Sequence, residues 1–406
     1  MLRPPHRKAQ IPSAPTTSLH FATMVKLLSL AAAALSFSSA VVAVPSKWGG
    51  SSTTYFPVVD KWLNQKCPGK YQPCTERNIK VRKDFDSMAP AERKAYTDAI
   101  NCLRAQPSQL DPKEYPSAIN RYFDYAVVHV NKTRVVHLDG FFLIWHRMFL
   151  HVFEEDLRDT CGYTGAFPYW NWPATADNLR GAPIFDGSEY SMSGDGRYTN
   201  NASVVLSPTL SIPHGSGGGC ILSGPFKGMN RTMNVVTNQF LLNGTQPPHS
   251  IYNKNETCLT RDLNTFAAQT WTNYTAVQVA VESPNLKVLE DRLNGVIGGG
   301  SLGIHSGAHF IMGAPASNIF VSAQDPIWYP MHTMLDRVYA SWQIRHPDIA
   351  NSVHGTMTAQ NLPPSANVTL DTVIPDQGYF NMAPYTIGEL ISTTAGPFCY
   401  KYDLAI

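Results

Sequence analysis

The chain has 406 residues, 43% of them hydrophobic, enough apolar material for one large core or two ordinary ones. Its formal net charge is +2 and no block of like charges occurs, which argues against nucleic acid or an anionic membrane surface as a partner. Charged residues make up 15%, well below the roughly 25% of an average soluble protein.

Residues 1–23 are Pro-rich, basic and featureless, and read as an upstream extension outside the mature protein, with Met24 as the start. Residues 24–43, "MVKLLSLAAAALSFSSAVVA", place the basic Lys26 before an apolar stretch that ends on the small residues Val41 and Ala43. That is the pattern of a secretory signal, and the stretch is too short and serine-broken for a membrane span. The expected product is secreted, extracellular and free of the membrane after cleavage. Asn-x-Ser/Thr sequons at Asn131, Asn201, Asn230, Asn243, Asn255, Asn273 and Asn367 agree with export and predict N-linked glycans. The cysteines Cys67, Cys74, Cys102, Cys161, Cys220, Cys258 and Cys399 are scattered singly, which suits long-range disulfides better than a Cys-x-x-Cys metal or redox site. Their spacing leaves the pairing open and one of them over.

A helix is predicted near 89–104, "APAERKAYTDAINCLR", with Ser87 as a cap and Pro90 in the first turn. Helical apolar spacing follows over 116–130 and 140–160. From about 162 to 260 the pattern dissolves into Gly, Ser, Asn and Pro, as expected of elaborated surface loop. Helical spacing returns at 257–272, 284–296, 303–312 and 326–345, and from 350 onward short strands and loops are expected. No linker divides residues 44–406, which read as a single domain.

Six of the 13 histidines fall in two groups. The first is His129, His137 and His146 in "YAVVHVNKTRVVHLDGFFLIWHRMFL": one closing a helix, one in the connection, one inside the next helix. The second is His305 and His309 in "GIHSGAHF", followed by His332 in "DPIWYPMHTMLD". Positions i and i+4 share a helix face, so His305 and His309 can aim two imidazoles at one ion, and His332 can complete the set. A lone histidine in an apolar helix is more often a satisfied core residue than a ligand. Two groups of three, each among bulky apolar neighbours, point to metal instead. Imidazole suits zinc, copper, iron and nickel, whereas calcium and magnesium prefer oxygen. A zinc protease needs HExxH, and Ser306 stands where that glutamate would be. An all-histidine pair of sites fits two coppers with open positions for dioxygen.

The segments "HLDGFFLIWHR" and "DPIWYPMHTMLDR" resemble the two copper-binding signatures of the tyrosinase, catechol oxidase and haemocyanin family, over about residues 74–402. The resemblance, closest to short secreted fungal members, implies a mainly α fold: a four-helix bundle holding a binuclear type 3 copper site, with long irregular loops and a few short strands. It implies His129, His137 and His146 as ligands of copper A, and His305, His309 and His332 as ligands of copper B. Asp336 is the expected partner of a ligand imidazole, or else of Arg147 in a plain ion pair. Phe310, Ile319, Phe320 and Met331 are candidates to line the substrate site. The "CYKYDL" ending resembles the Tyr-x-Tyr element closing the catalytic domain, which implies activity without removal of a lid.

Departures from the family pattern are Ile144 before Trp145, where proline is usual, and Met331 before His332. Val135 occupies the place of a cysteine that some members crosslink to a histidine. The nearest acid before His305 is Glu290, across "GVIGGGSLG". The expected activity is therefore oxidation of small phenolic substrates, o-diphenols and also o-aminophenols, to o-quinones with O2, and weak monophenol hydroxylation. A full tyrosinase is the nearest alternative. A haemocyanin-like oxygen carrier and a zinc hydrolase are the alternatives of other classes.

Overall fold

The computed structural model describes residues 57–296, 299–375, 379–381 and 384–403, so the upstream extension and the secretory signal read from the sequence lie outside it. In chain order, α1 (Pro57–Lys66), β1 (Lys80–Asp84), α2 (Pro90–Ala105), α3 (Arg121–Lys132) and α4 (Phe142–Cys161) come first. Short pieces follow: β2 (Pro168–Tyr169), α5 (Trp172–Thr175), β3 (Gly196–Tyr198), β4 (Val204–Ser207), β5 (Leu210–Ile212), β6 (Gly218–Ile221), β7 (Asn230–Arg231), α6 (Gln239–Leu242) and β8 (Thr257–Cys258). Helices then return as α7 (Thr265–Trp271), α8 (Tyr274–Val281), α9 (Leu286–Asn294), α10 (Ile304–Ile311) and α11 (Trp328–Arg345), before α12 (Ile387–Leu390) and β9 (Tyr400–Tyr402).

Local chemistry sets these boundaries. Ser87 does not cap α2; it lies in the preceding 3-10 turn and donates to the Asp84 carbonyl, while the Glu92 carboxylate reaches back to the Ala89 N–H at 2.8 Å. The α3 helix starts later than its apolar spacing suggests because the Asn120 side chain accepts from the Phe123 N–H at 3.1 Å and fixes the first turn there. At the head of α4, Asp139 Oδ1 accepts from the Phe141 N–H at 2.9 Å, and Gly162, at φ 65°, ends the helix in the left-handed conformation. The helix expected from 257 begins only at Thr265, because Thr257 and Cys258 pair with β7. The α8 helix was not expected: "YTAVQVAV" carries strand propensity, which the Asn273 cap on the Ala276 N–H and packing against α11 override.

The loop-rich stretch 162–260 holds antiparallel pairs β3–β6, β4–β5 and β7–β8. Strand β1 is the centre of a parallel sheet, β2-β1-β9, with Asp84 opposite Tyr169 and Arg82 opposite Tyr402. The α11 helix packs on both α4 and β2. Gly307 lets α10 lie against α7, since a Cβ there would stand 2.5 Å from the Trp271 Cβ. Three disulfides, Cys74–Cys399, Cys102–Cys161 and Cys220–Cys258, resolve the open pairing and leave Cys67 free.

Beneath α4 and α11 lies a buried charge network. Asp336 accepts from Arg147 Nε at 2.6 Å, from Arg82 Nη1 at 3.3 Å and from the Tyr400 and Tyr402 hydroxyls at 2.6 Å each. Arg82 also pairs with Glu154 at 2.9 Å, and its guanidinium lies 3.6 Å over the Tyr400 ring. Burial alone would raise the Asp336 carboxyl, but the Arg147 and Arg82 guanidiniums hold it below the usual carboxylate range. Asp336→Leu would leave two guanidiniums buried without their shared anion, so a loss of about 3–5 kcal/mol is expected in urea unfolding, against near-native stability for a conservative surface change such as Lys94→Gln.

Candidate metal centre

The six histidines read from the sequence gather as two clusters, His129 with His137 and His146, and His305 with His309 and His332; in each, one ligating atom per residue lies within 4.8 Å of the others. All six are buried. His129 sits near the end of α3, His137 follows the 3-10 turn Thr133–Val135, and His146 lies in the second turn of α4. His305 and His309 are one turn apart on α10, and His332 is in the second turn of α11. The clusters adjoin, since the His146 and His332 rings stack with centroids 4.9 Å apart.

Five of the six rings are locked by an acceptor at Nδ1. His129 bonds the Phe320 carbonyl at 3.0 Å, His137 that of Thr133 at 2.9 Å, and His146 that of Phe142 at 2.7 Å. His309 bonds the Ala316 carbonyl at 2.6 Å and His305 the Asn294 Oδ1 at 3.0 Å. A carbonyl can only accept, so the proton belongs on Nδ1 and the lone pair on Nε2 faces inward. His332 has no partner at Nδ1, and its ring is instead held by stacking on Trp328 at 3.9 Å.

Those inward lone pairs are the test of fit for a metal. In the second cluster the Nε2 atoms stand 3.1, 3.2 and 3.4 Å from one another. With the proton of His305 and His309 committed to Nδ1, the close approach sets nitrogen lone pairs against each other unless a cation lies among them. In the first cluster, Nε2 of His129 and of His146 is buried with no partner at all. Protonation does not resolve either cluster: burial lowers His129 and His309 to about 4, and burial together with neighbouring imidazoles holds His137, His146, His305 and His332 well below the ordinary value. Two sets of three neutral imidazoles, with no thiolate or carboxylate in either, are a donor set that could hold two coppers.

A cavity of about 290 Å³ opens onto His137, His305 and His309. Of the expected lining residues, Phe310 and Ile319 are there, whereas Phe320 and Met331 are fully buried elsewhere. Phe320 contributes its carbonyl, to His129, and packs its ring near Phe240. The polar atoms of Asp336 and Arg147 are taken up by the network under α4 and α11, where the two pair with each other at 2.6 Å. Sequence reasoning passed over Asn294 and Trp328. Trp328, four residues before His332 on one helix face, carried a usable signal; Asn294, 11 residues before His305 and beyond a glycine-rich turn, carried none. Also unforeseen was Asp325, whose carboxylate accepts from the Ile327 N–H at the head of α11 and pairs with the buried Arg261 at 2.7 Å.

A family profile described as the common central domain of tyrosinase matches residues 119–345. Among relatives, the N-acetyl-6-hydroxytryptophan oxidase ivoB of Emericella nidulans is 33% identical, over 82% of this chain and 94% of its own length. Tyrosinase P of Aspergillus terreus is 34% identical over 79% of this chain and 91% of its own. The structure of a single-site mutant of a polyphenol oxidase from Thermothelomyces thermophila superposes with a TM-score of 0.75 at 32% identity, covering 85% of this chain and 94% of that one.

Metal-free protein should be the less stable form, since the opposed lone pairs then have nothing between them. Calorimetry in chelator and after copper loading is expected to differ by about 4 kcal/mol per site, hence about 8 kcal/mol for both, when free metal stands a thousandfold above each dissociation constant.

Proposed function

The chain belongs to the tyrosinase family and is a copper oxidoreductase, and from that premise we propose that it oxidises o-diphenols, and o-aminophenols of like geometry, to o-quinones with dioxygen as co-substrate. His129, His137 and His146 hold copper A, and His305, His309 and His332 hold copper B. Bound there, the coppers supply the two-electron redox couple and the open positions for dioxygen. The chain's own part is to aim the lone pairs in advance, five through the Nδ1 acceptors and that of His332 through the stacking of its ring on Trp328. Trp328, Phe142 and Phe149 pack around the rings and keep water from the sides of the centre, leaving the cavity at His137, His305 and His309 as the way in.

The observation that carries the choice of o-diphenols over monophenols is the character of that cavity. A monophenol must give up its hydroxyl proton before it is hydroxylated, and this needs a nearby base. Among the described residues lining the cavity there is no aspartate or glutamate. Glu290 lies off to one side, where its carboxylate accepts from His354 Nδ1 at 2.7 Å. An o-diphenol faces a lesser demand: it gives up two electrons and two protons, but no new C–O bond has to form, so a ring stripped of its proton need not be held in place for oxygen insertion. By its name, one relative acts on a hydroxylated tryptophan; what we carry to this chain is only the hydroxylated aromatic ring.

Export belongs to the same reading. The three disulfides suit an oxidising compartment, and the signal and sequons fit passage through a secretory route; no described helix is long and apolar enough to cross a membrane.

Copper-loaded protein is expected to consume oxygen with catechol, and to act on the matching para-substituted monophenol about 100-fold or more slowly and after a lag, the span usually attributed to a missing base. Equal rates without a lag, followed in an oxygen electrode, would refute the assignment. His305→Ala should lower bound copper from two per chain to about one by metal analysis while the other cluster stays loaded.

A further inference from the structure

The cavity reaches well beyond the histidines, and its outer part is built from elements that the copper centre does not use. Leu206 and Leu210 come from the β4–β5 hairpin, Leu242 from the end of α6 and Leu302 from the loop before α10, while Phe310 and Ile319 lie nearer the imidazoles. At about 290 Å³ the space would hold roughly ten waters, more than one aromatic ring fills. Its polar groups are amides and hydroxyls, several already engaged: Asn294 with His305, Ser306 with the Asn294 carbonyl, and Asn238 with Asn318. Among the described lining residues there is no lysine, arginine, aspartate or glutamate, and the histidines stand at the inner end, away from the leucines.

A ring anchored at the imidazole end by adjacent oxygens must point whatever it carries at that leucine wall. A carboxylate or ammonium there would lose water and meet no counter-charge, whereas a hydrocarbon would cover apolar surface. We propose that the substrate is an uncharged catechol or o-aminophenol bearing an apolar substituent on the side of the ring away from its two heteroatoms, with Leu206, Leu210, Leu242 and Leu302 as the residues that select it. The selection rests on the o-diphenol reading and adds the class of substituent. Amino-acid and acid-bearing catechols are disfavoured, and the preference comes from the β4–β5 hairpin, α6 and the loop before α10 rather than from the helices that carry the histidines.

The test compares catechol, a 4-alkylcatechol series from methyl to hexyl, 3,4-dihydroxybenzoate and 3,4-dihydroxyphenylalanine on the copper-loaded protein. The expected kcat/KM rises about fourfold per methylene until the wall is covered, and the two charged compounds fall at least about tenfold below 4-methylcatechol. Calorimetric titration of the protein under nitrogen with 4-alkylresorcinols, whose meta hydroxyls cannot give an o-quinone by loss of two electrons and two protons, should give the same order in Kd without any turnover. Leu206 is 39% exposed on the hairpin, so Leu206→Asp should fold, and it is expected to flatten both alkyl series; Leu242→Ser serves the same purpose if the first variant does not express. A flat alkyl series in the unmodified protein, or a charged catechol equal to its alkyl counterpart, overturns the proposal. Absence of turnover with every catechol would instead sink the o-diphenol reading, and the resorcinol titration would still report on the wall.

Discussion

The constraint on which this molecule turns is that neutral imidazoles converge in a dry interior with their lone pairs pointing at one another. Each such nitrogen would be a cost in an ordinary core. The protein commits to it by anchoring the opposite nitrogen of five rings to a carbonyl or amide oxygen, and that commitment dictates much of the surrounding backbone. His146 uses the carbonyl of Phe142, one turn earlier on its own helix, so straight α4 geometry suffices. His129 and His309 use carbonyls from the segment between α10 and α11, which must therefore pass close beside both clusters. His137 is followed at once by Leu138, a non-glycine residue at φ 56°, where the chain accepts a strained conformation to turn the ring inward.

The recognisable sequence motifs divide their labour between two layers. In Trp145-His146-Arg147, the histidine faces the centre while the arginine lies in the charge network with Asp336 and Gln343. In the second motif His332 joins its cluster and Asp336, one turn later, receives Arg147, Arg82 and two tyrosines. The network thereby links β1, α4, α11 and β9, and fixes the relative setting of the two helices that bring His146 and His332 into contact. Asp325 and Arg261 form a second buried pair just before the N-terminus of α11.

How far the site was legible in the sequence follows from this division. Groups that act through their own side chain at helical spacing, such as His305 and His309, show in the sequence because periodicity alone places them on one face. What stayed hidden acts through the backbone or across long separations. The carbonyls of Phe320 and Ala316 carry no residue signature, and Asn294 reaches His305 only because α9 packs against α10. Asp336 was open to two readings, since a spacing of four from a histidine is equally compatible with touching the ring and with facing an arginine on the neighbouring helix. The helices themselves were foreseen where amphipathic spacing was long; α8 was lost because its valines favour strand until a cap and a packing partner are supplied.

The crosslink between Cys74 and Cys399, 325 residues apart, has a further consequence for a protein whose surface carries so much irregular chain. Any peptide bond hydrolysed between those two cysteines converts a covalent ring into one open strand and releases no fragment. The exposed hairpins and turns of 162–260 can therefore be nicked by a protease while both halves of the dicopper scaffold stay tethered, held by their packing in the shape they already have.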